Sequence, residues 1–587
     1  MPKPASPSQP YGRSVMLLLR ITAFCLILPL PYAAAQPSPQ RVPGKSQAAS
    51  QQPAPPQILT PLQQADAAFR AGREAYLRND LPTAQTHFSK AVRLAPRVAT
   101  GHSALGSVLL AQGNPKEAIP EFQIANQLDP SDETTILNLA TALATNAQTA
   151  AAQHQLEYSL RTLPDSAILH DALATLFAQQ QNYAAAIPHL QQALILDPNL
   201  AVAHFHLGAI YLNQHKASEA AIELSRANAL TPNTPTYLLQ LGRALSAANR
   251  DDAAIATLRT LTTLDPTSLD ARYELALALQ ASGNAKDALP IFVEVTTARP
   301  EDSGALTNHA LALVQTGDAK AAIPIYLHAL KLTPSNPTLR EDLGVAYLQQ
   351  SDLDHAIEQF RAGITAEPSN AHLHYDLALA LKLKDDLTAA IPEFEQAARL
   401  DPTLPDPPYT LGILYMQQGR FPESREQLER ATELRPENGD AWAMLGNVYK
   451  QTNQPDEAIT ALRKAIELLP NQPSPHISLA ALLSQQGNAP EAAAERKIAA
   501  DLSRVAVSRQ RANFALDSGR LLLKRNQLAE AIAQLQAAVA ADPTYPEPHL
   551  ALAEALTRDN QLAEAAVEHQ KADQLTTHPG TPPIPSK

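Results

Sequence analysis

Twelve prolines, at 96, 130, 164, 198, 232, 266, 300, 334, 368, 402, 436 and 470, follow one another by the same step without exception. A single inserted residue anywhere between them would have broken the series, so the chain repeats a unit of fixed length. Proline lacks the backbone N–H and clashes with a preceding helical turn, so at a fixed phase it marks where each unit ends. With each proline as position 32, units begin at 65, 99, 133 and onward. Position 8 is then Gly or Ala in all twelve, and position 20 is Ala in eleven, with Ser424 the exception.

Those columns describe a helical hairpin. Positions 4, 7, 8 and 11 share one face at helical spacing, and a small residue at 8 lets a second helix approach with its own Ala at 20. Leu, Phe or Tyr at position 24 fills the space beside them. Pro120, Pro188, Pro290, Pro324 and Pro392 all fall at position 22, inside the second helix. Their recurrence in register predicts that the helix runs through them, with a kink. Such hairpins bury their faces by stacking on neighbours, which needs no large aromatic core and suits a chain of 587 residues with 5% aromatics.

Trp442, Leu445, Gly446 and Tyr449, followed by Ala458 and Pro470, reproduce the W-x2-L-G-x2-Y…A…P signature. Leu207, Gly208 and Tyr211 repeat it in part, as do Leu343, Gly344 and Tyr347, and Leu411, Gly412 and Tyr415. On these residues the chain resembles the tetratricopeptide repeat family from about Ala65 to Thr577. The resemblance implies an all-α solenoid of about fifteen hairpins in a right-handed superhelix, with first helices lining an inner surface that holds partner segments.

The ends differ from the repeats. Basic residues up to Arg20, the apolar run Ile21–Leu30 and the A-x-A of Ala33 and Ala35 have the order of a signal peptide over 1–35, cut before Gln36. Ten apolar residues are too few to span a bilayer, so no stable transmembrane anchor is expected after cleavage. Residues 36–60 read as a Pro/Gln-rich linker and 578–587 as a disordered tail. The solenoid register holds over 61–472.

After Pro470 the register slips. Position 504 holds Arg504 where a proline is due, and the next unit closes at Pro543 instead of at 538. Residues 473–511 form an irregular repeat whose second helix is expected to extend from Glu491 to about Val507. Two more hairpins follow over 512–577. Between Glu495 and Arg525 lie eight basic residues against three acids. Arg496, Lys497, Arg504, Arg509 and Arg511 are a candidate basic docking patch for an acidic partner or anionic headgroups, or else a solvated helix face.

Without the first 35 residues the chain holds 43 basic and 58 acidic residues, a net charge of −15, which disfavours nucleic acid as a partner. No phosphate-cradling glycine motif, H-E-x-x-H or G-x-S-x-G occurs, and the only cysteine, Cys25, lies in the leader. His204 and His206, like His372 and His374, are two apart on a helix and diverge too far to chelate one metal. Histidine also owns position 4 in six units, at 102, 170, 204, 374, 476 and 549, which reads as architecture. No enzyme activity, cofactor or metal is expected.

The family resemblance places positions 2, 5, 6, 9, 12 and 13 on the inner wall. Position 9 is apolar in five successive units, at Leu277, Leu311, Val345, Leu379 and Ile413. Position 5 adds Tyr273, Tyr375 and Tyr409, and position 6 adds Glu274, Asn308, Asp342 and Asp376. Together they describe an apolar trough with an acidic edge for a protein or peptide segment; the alternative is that position 9 only packs adjacent hairpins. Position 5 is never Lys or Arg and position 9 is Asn only at Asn447, so the carboxylate clamp of some family members is not expected. The expected function is an exported, non-catalytic binding scaffold. Alternatives are a subunit of an envelope assembly, such as polysaccharide export or outer-membrane biogenesis, or a substrate-delivering partner of a separate enzyme.

Overall fold

The computed structural model describes residues 60–577, and among these residues it holds 29 α-helices and no strand. The expected signal peptide, its cleavage site, residues 36–59 of the linker and the 578–587 tail lie outside the described residues. Thr60 belongs to the fold and not to the linker. Its hydroxyl and backbone form a reciprocal capping box with Gln63 at the start of the first helix, Pro61–Leu77.

First and second helices alternate, typically 13 and 14 residues long, as in Ala99–Ala111 and Pro115–Leu128. The hairpins are numbered here 1 to 13 from residue 65 to residue 473, with 14 at 512 and 15 at 546. The turn inside each hairpin has one fixed geometry: position 15 adopts the left-handed conformation in all fifteen, from φ +55° at Asn249 to +90° at Gly317. Its N–H donates to the carbonyl of position 12 and the next N–H to that of position 11, as Gly113 to Leu110 (3.0 Å) and Asn114 to Leu109 (2.9 Å). This hydrogen-bonded cap closes the first helix and reverses the chain.

Between the two helices the small residue at position 8 meets the large one at 24. A Cβ added at Gly106 would lie 2.9 Å from the Phe122 ring, and one at Gly344 2.4 Å from the Phe360 ring. The pattern in these columns is thus a matter of steric clearance. The five position-22 prolines all lie within unbroken second helices and are exposed. Each falls on the sixth residue of its helix, so one hydrogen bond near the N-terminus is lost on the water-facing side.

The expected end of a helix near Val507 is corrected. One helix runs for 36 residues from Ala489 to Lys524, serving as second helix of hairpin 13 and first helix of hairpin 14. With no Gly or Pro between Glu491 and Asp517, nothing supplies a left-handed cap or a stop. The residues up to Asp318 and those from Ala319 onward form two compact units. The division falls between the helices of hairpin 8, where the sequence register shows no break.

Candidate binding surface

Within the unit ending at Asp318, neighbouring first helices bring position-5, -6 and -9 side chains together in a fixed register. Position 9 reaches position 6 of the next hairpin: Asn138 donates to Ser107 Oγ (3.4 Å), His206 Nδ1 lies 3.2 Å from Thr175 Oγ1, and Arg243 Nε donates to Glu274 Oε1 (2.7 Å). Position 5 also reaches position 6 of the next hairpin. His206 Nδ1 lies 2.8 Å from Asp171 Oδ1, and Asn308 Nδ2 donates to the Tyr273 hydroxyl (2.8 Å). These inner polar columns act first as a ladder that fixes neighbouring hairpins.

Within the unit ending at Asp318, this ladder changes the expected acidic edge. Glu274 is buried, with its carboxyl pushed above the ordinary range by burial while Arg243 opposes that shift. A buried carboxylate neutralised by a guanidinium offers little negative potential to a ligand. Arg243 is the residue that sequence reasoning missed, and the recurring step from position 9 to the next position 6 is the signal that points to it. Tyr273 is half-buried, its ring edge-on to Phe292 with centroids 6.2 Å apart, and burial pushes its hydroxyl up to about 12. Leu277 leans on the core cluster while remaining partly open, and Leu311 is likewise half-buried.

In the unit from Ala319 onward, Asp342 is buried, while Val345, Tyr375, Asp376, Leu379, Tyr409 and Ile413 are half-buried. The Tyr375 ring stands edge-on to Phe394 at 5.6 Å, and Val345 packs beside it on the same core cluster. Tyr409 packs on the cluster around Leu428 and Val448. At position 9, Leu277 and Val345 thus lean on core clusters while staying partly open, and Leu311, Leu379 and Ile413 are half-buried.

The histidine column has a structural task. Nδ1 of His102, His204, His374, His476 and His549 lies 2.5–2.6 Å from Glu121, Glu223, Glu393, Glu495 and Glu568 respectively, each in the second helix of the same hairpin. Nε2 of His102, His170, His204, His374 and His549 lies 3.1–3.2 Å from the carbonyl of the proline that closes the preceding unit. Arg272, Arg340 and Trp442 occupy the same position and donate to the same proline carbonyl. Position 4 is therefore a strap from first helix to inter-hairpin turn, and Trp442 of the family signature is one version of it. His206 instead faces Asp171, so the H-x-H pair diverges as its spacing implied. Among the described residues no three His, Cys, Asp or Glu side chains cluster as a metal site needs.

The basic candidates divide. Arg509 donates to the buried Asp542 at 2.5 Å and its guanidinium lies 4.0 Å from the centre of the Tyr545 ring, which makes it part of the fold rather than a docking group. Arg496 reaches Ser484, and Arg504 pairs with Asp501 at 3.1 Å on the surface. Lys497 and Arg511 are exposed. No helix among the described residues is long and apolar enough to cross a membrane.

Tetratricopeptide-repeat family models match residues 65–133, 174–214, 237–268 and 519–572, and the model for the cilia and flagella-associated protein 70 C-terminal domain matches 294–515. No curated protein matches the sequence. Similar solved structures include the anaphase-promoting-complex hetero-tetramer Cut9–Hcn1, at 14% identity and TM-score 0.34 over 85% of this chain and 98% of that one. Yeast Tom70 is similar at 16% identity and TM-score 0.36, over 75% and 96%. YrrB, described as a repeat protein with an unusual peptide-binding site, is similar at 24% identity and TM-score 0.28, over 31% and 95%. The chain therefore contains tetratricopeptide repeats, matched as such near the two ends of the described residues and at two places between.

Proposed function

We propose that the protein is a non-catalytic scaffold that binds protein or peptide segments on the inner faces of its first helices. One observation carries the reading: Leu277, Leu311, Val345, Leu379 and Ile413 stay partly open, whereas the neighbouring position-10 residues Ala278, Ala312, Ala346, Ala380 and Leu414 are buried. Apolar side chains left half-covered after hairpin packing are what a segment with apolar residues would bind. The ladder of polar groups beside them is already satisfied, so shape and apolar contact would supply most of the affinity. The scaffold reading also includes export, with the leader cut before Gln36, which N-terminal sequencing of the protein from cell envelope would test.

The binding surface is tested with photo-crosslinking amino acids placed at 277, 311, 345, 379 and 413, and separately at exposed positions of second helices. Bound peptides selected from a random library should crosslink to the first set and lose binding on Val345→Glu or Leu379→Glu. Peptides that crosslink only to second helices, or that bind both variants unchanged, would overturn the assignment.

A further inference from the structure

Positions 3 and 10 of a first helix are where it packs on the second helix of the preceding hairpin. A Cβ added at Gly101, position 3 of hairpin 2, would lie 3.5 Å from Val92, and one at Gly363 in a second helix would meet Leu373, position 3 of the next hairpin, at 2.9 Å. Position 10 is buried in hairpins 2 to 13 and in hairpin 15, from Val108 to Ala555. Position 3 is buried in the same hairpins, apart from Tyr237, which is half-buried and stacks on Phe205 at 4.7 Å.

Two hairpins leave both positions open. In hairpin 1 they are Ala67 and Glu74, a small and a charged residue. In hairpin 14 they are Phe514, 79% exposed, and Leu521, 49% exposed. The helix that would have covered them is not a separate element, because it is continuous with the first helix of hairpin 14 as Ala489–Lys524. Val507, 47% exposed, stands one heptad before Phe514 and lengthens the stripe. No residue between Ala499 and Ala512 is buried, so this stretch of the helix has an unusually open surface.

We propose that Val507, Phe514 and Leu521 dock an acidic amphipathic helix of a protein partner, seated where the second helix of a preceding hairpin would otherwise pack. The helical character follows from the face itself, which in hairpins 2 to 13 and in hairpin 15 packs against a second helix. The acidic character follows from the flank. Arg504, which pairs with Asp501, and Arg511 lie along one side of the stripe and Arg525 continues it, while Asp517 and Lys524 offset each other on the opposite side, in a segment of net charge +5 on a chain of −12. A second copy presenting the same face would bring arginines against arginines. The surface is distinct from the inner columns, so it stands or falls separately from the scaffold reading above.

The test uses the full chain and a synthetic peptide with the sequence of Phe421–Leu434, a second helix carrying four glutamates and two arginines, held helical by a hydrocarbon staple on its polar side. A matched peptide has the four glutamates replaced by lysine. Fluorescence anisotropy should show saturable binding of the acidic peptide, weakened roughly tenfold or more by Phe514→Glu. Arg504→Glu with Arg511→Glu should weaken the acidic peptide and strengthen the lysine peptide. Phe514 is mostly exposed, so an unchanged melting curve for Phe514→Glu shows that the fold is intact. Absence of saturable binding, equal binding of the two peptides, or insensitivity to Phe514→Glu overturns the proposal. So does binding to anionic phosphatidylglycerol vesicles without peptide binding, or a dimer in sedimentation that Phe514→Glu dissolves.

Discussion

Replacing Ala147, Gln181 and His215 by glycine should stabilise hairpins 3, 4 and 5. All three are exposed residues at position 15, with φ of +58°, +58° and +59°. A side chain with a Cβ pays about 1–2 kcal/mol in the left-handed region, because the Cβ approaches the following carbonyl. Glycine avoids that strain but loses more conformational freedom on folding, roughly 0.5–1 kcal/mol. The difference leaves a gain of about 0.5–1 kcal/mol per site. The reverse change is equally clean: at Gly113 and Gly283 nothing lies within 4 Å of an added Cβ, so Gly113→Ala and Gly283→Ala test the backbone alone and should lose a similar amount. Because repeat arrays open in neighbouring pieces, a global melting temperature would dilute the effect. Amide hydrogen exchange of the helices flanking each turn reads it locally, and exchange should slow by roughly twofold to fivefold per glycine introduced. Unchanged or faster exchange in the glycine variants, together with unchanged exchange in Gly113→Ala, would refute the claim that the left-handed turn limits local stability.

Gly344→Val should destabilise its hairpin by about 1–3 kcal/mol in chemical denaturation, because Phe360 occupies the space a side chain needs, whereas Gly344→Ala should be milder, as Ala276 opposite Phe292 shows the pair can be built. Arg243→Met should leave the Glu274 carboxylate buried without a countercharge and lose about 3 kcal/mol near neutral pH. Burial already holds the Glu274 pKa above its ordinary value, so that loss should shrink as pH falls through the folded pKa and the carboxyl takes a proton; a loss independent of pH would count against it. Near-ultraviolet titration should show Tyr273, Tyr415 and Tyr449 ionising only at about 12, held there first by burial, and substitution of each by Phe should remove one late-titrating chromophore.

Columns that obey hard sterics were readable directly from the sequence. Gly or Ala at position 8 against Phe or Leu at 24 is a clearance rule, and proline at 32 is a covalent one, so residue type alone carried the hairpin. The partners of Glu274 and His102 were not readable by inspection of one unit's first helix, because Arg243 lies in the preceding hairpin and Glu121 in the helix that follows. Their offsets recur across hairpins, but they become visible only once the stacking register is known. The Ala489–Lys524 helix shows a different limit. The missing Gly and Pro announced an extended helix, yet the renewed repeat pattern at 512 suggested a boundary before it; the backbone needs a turn to stop, and no residue there provides one. The apolar column at position 9 was legible as apolar, but its division between packing and open surface depends on the helix spacing of two hairpins at once.

The shared helix also changes how the protein would respond to mechanical load. Hairpins joined by turns can be peeled away singly, each releasing one repeat's length of slack. Hairpins 13 and 14 have no turn between them, so the strut must break or both must yield together, releasing everything from Pro473 to Tyr545 in one step. A chain whose repeats otherwise yield in equal increments would therefore carry one double-length stride, near the end that bears the exposed Phe514.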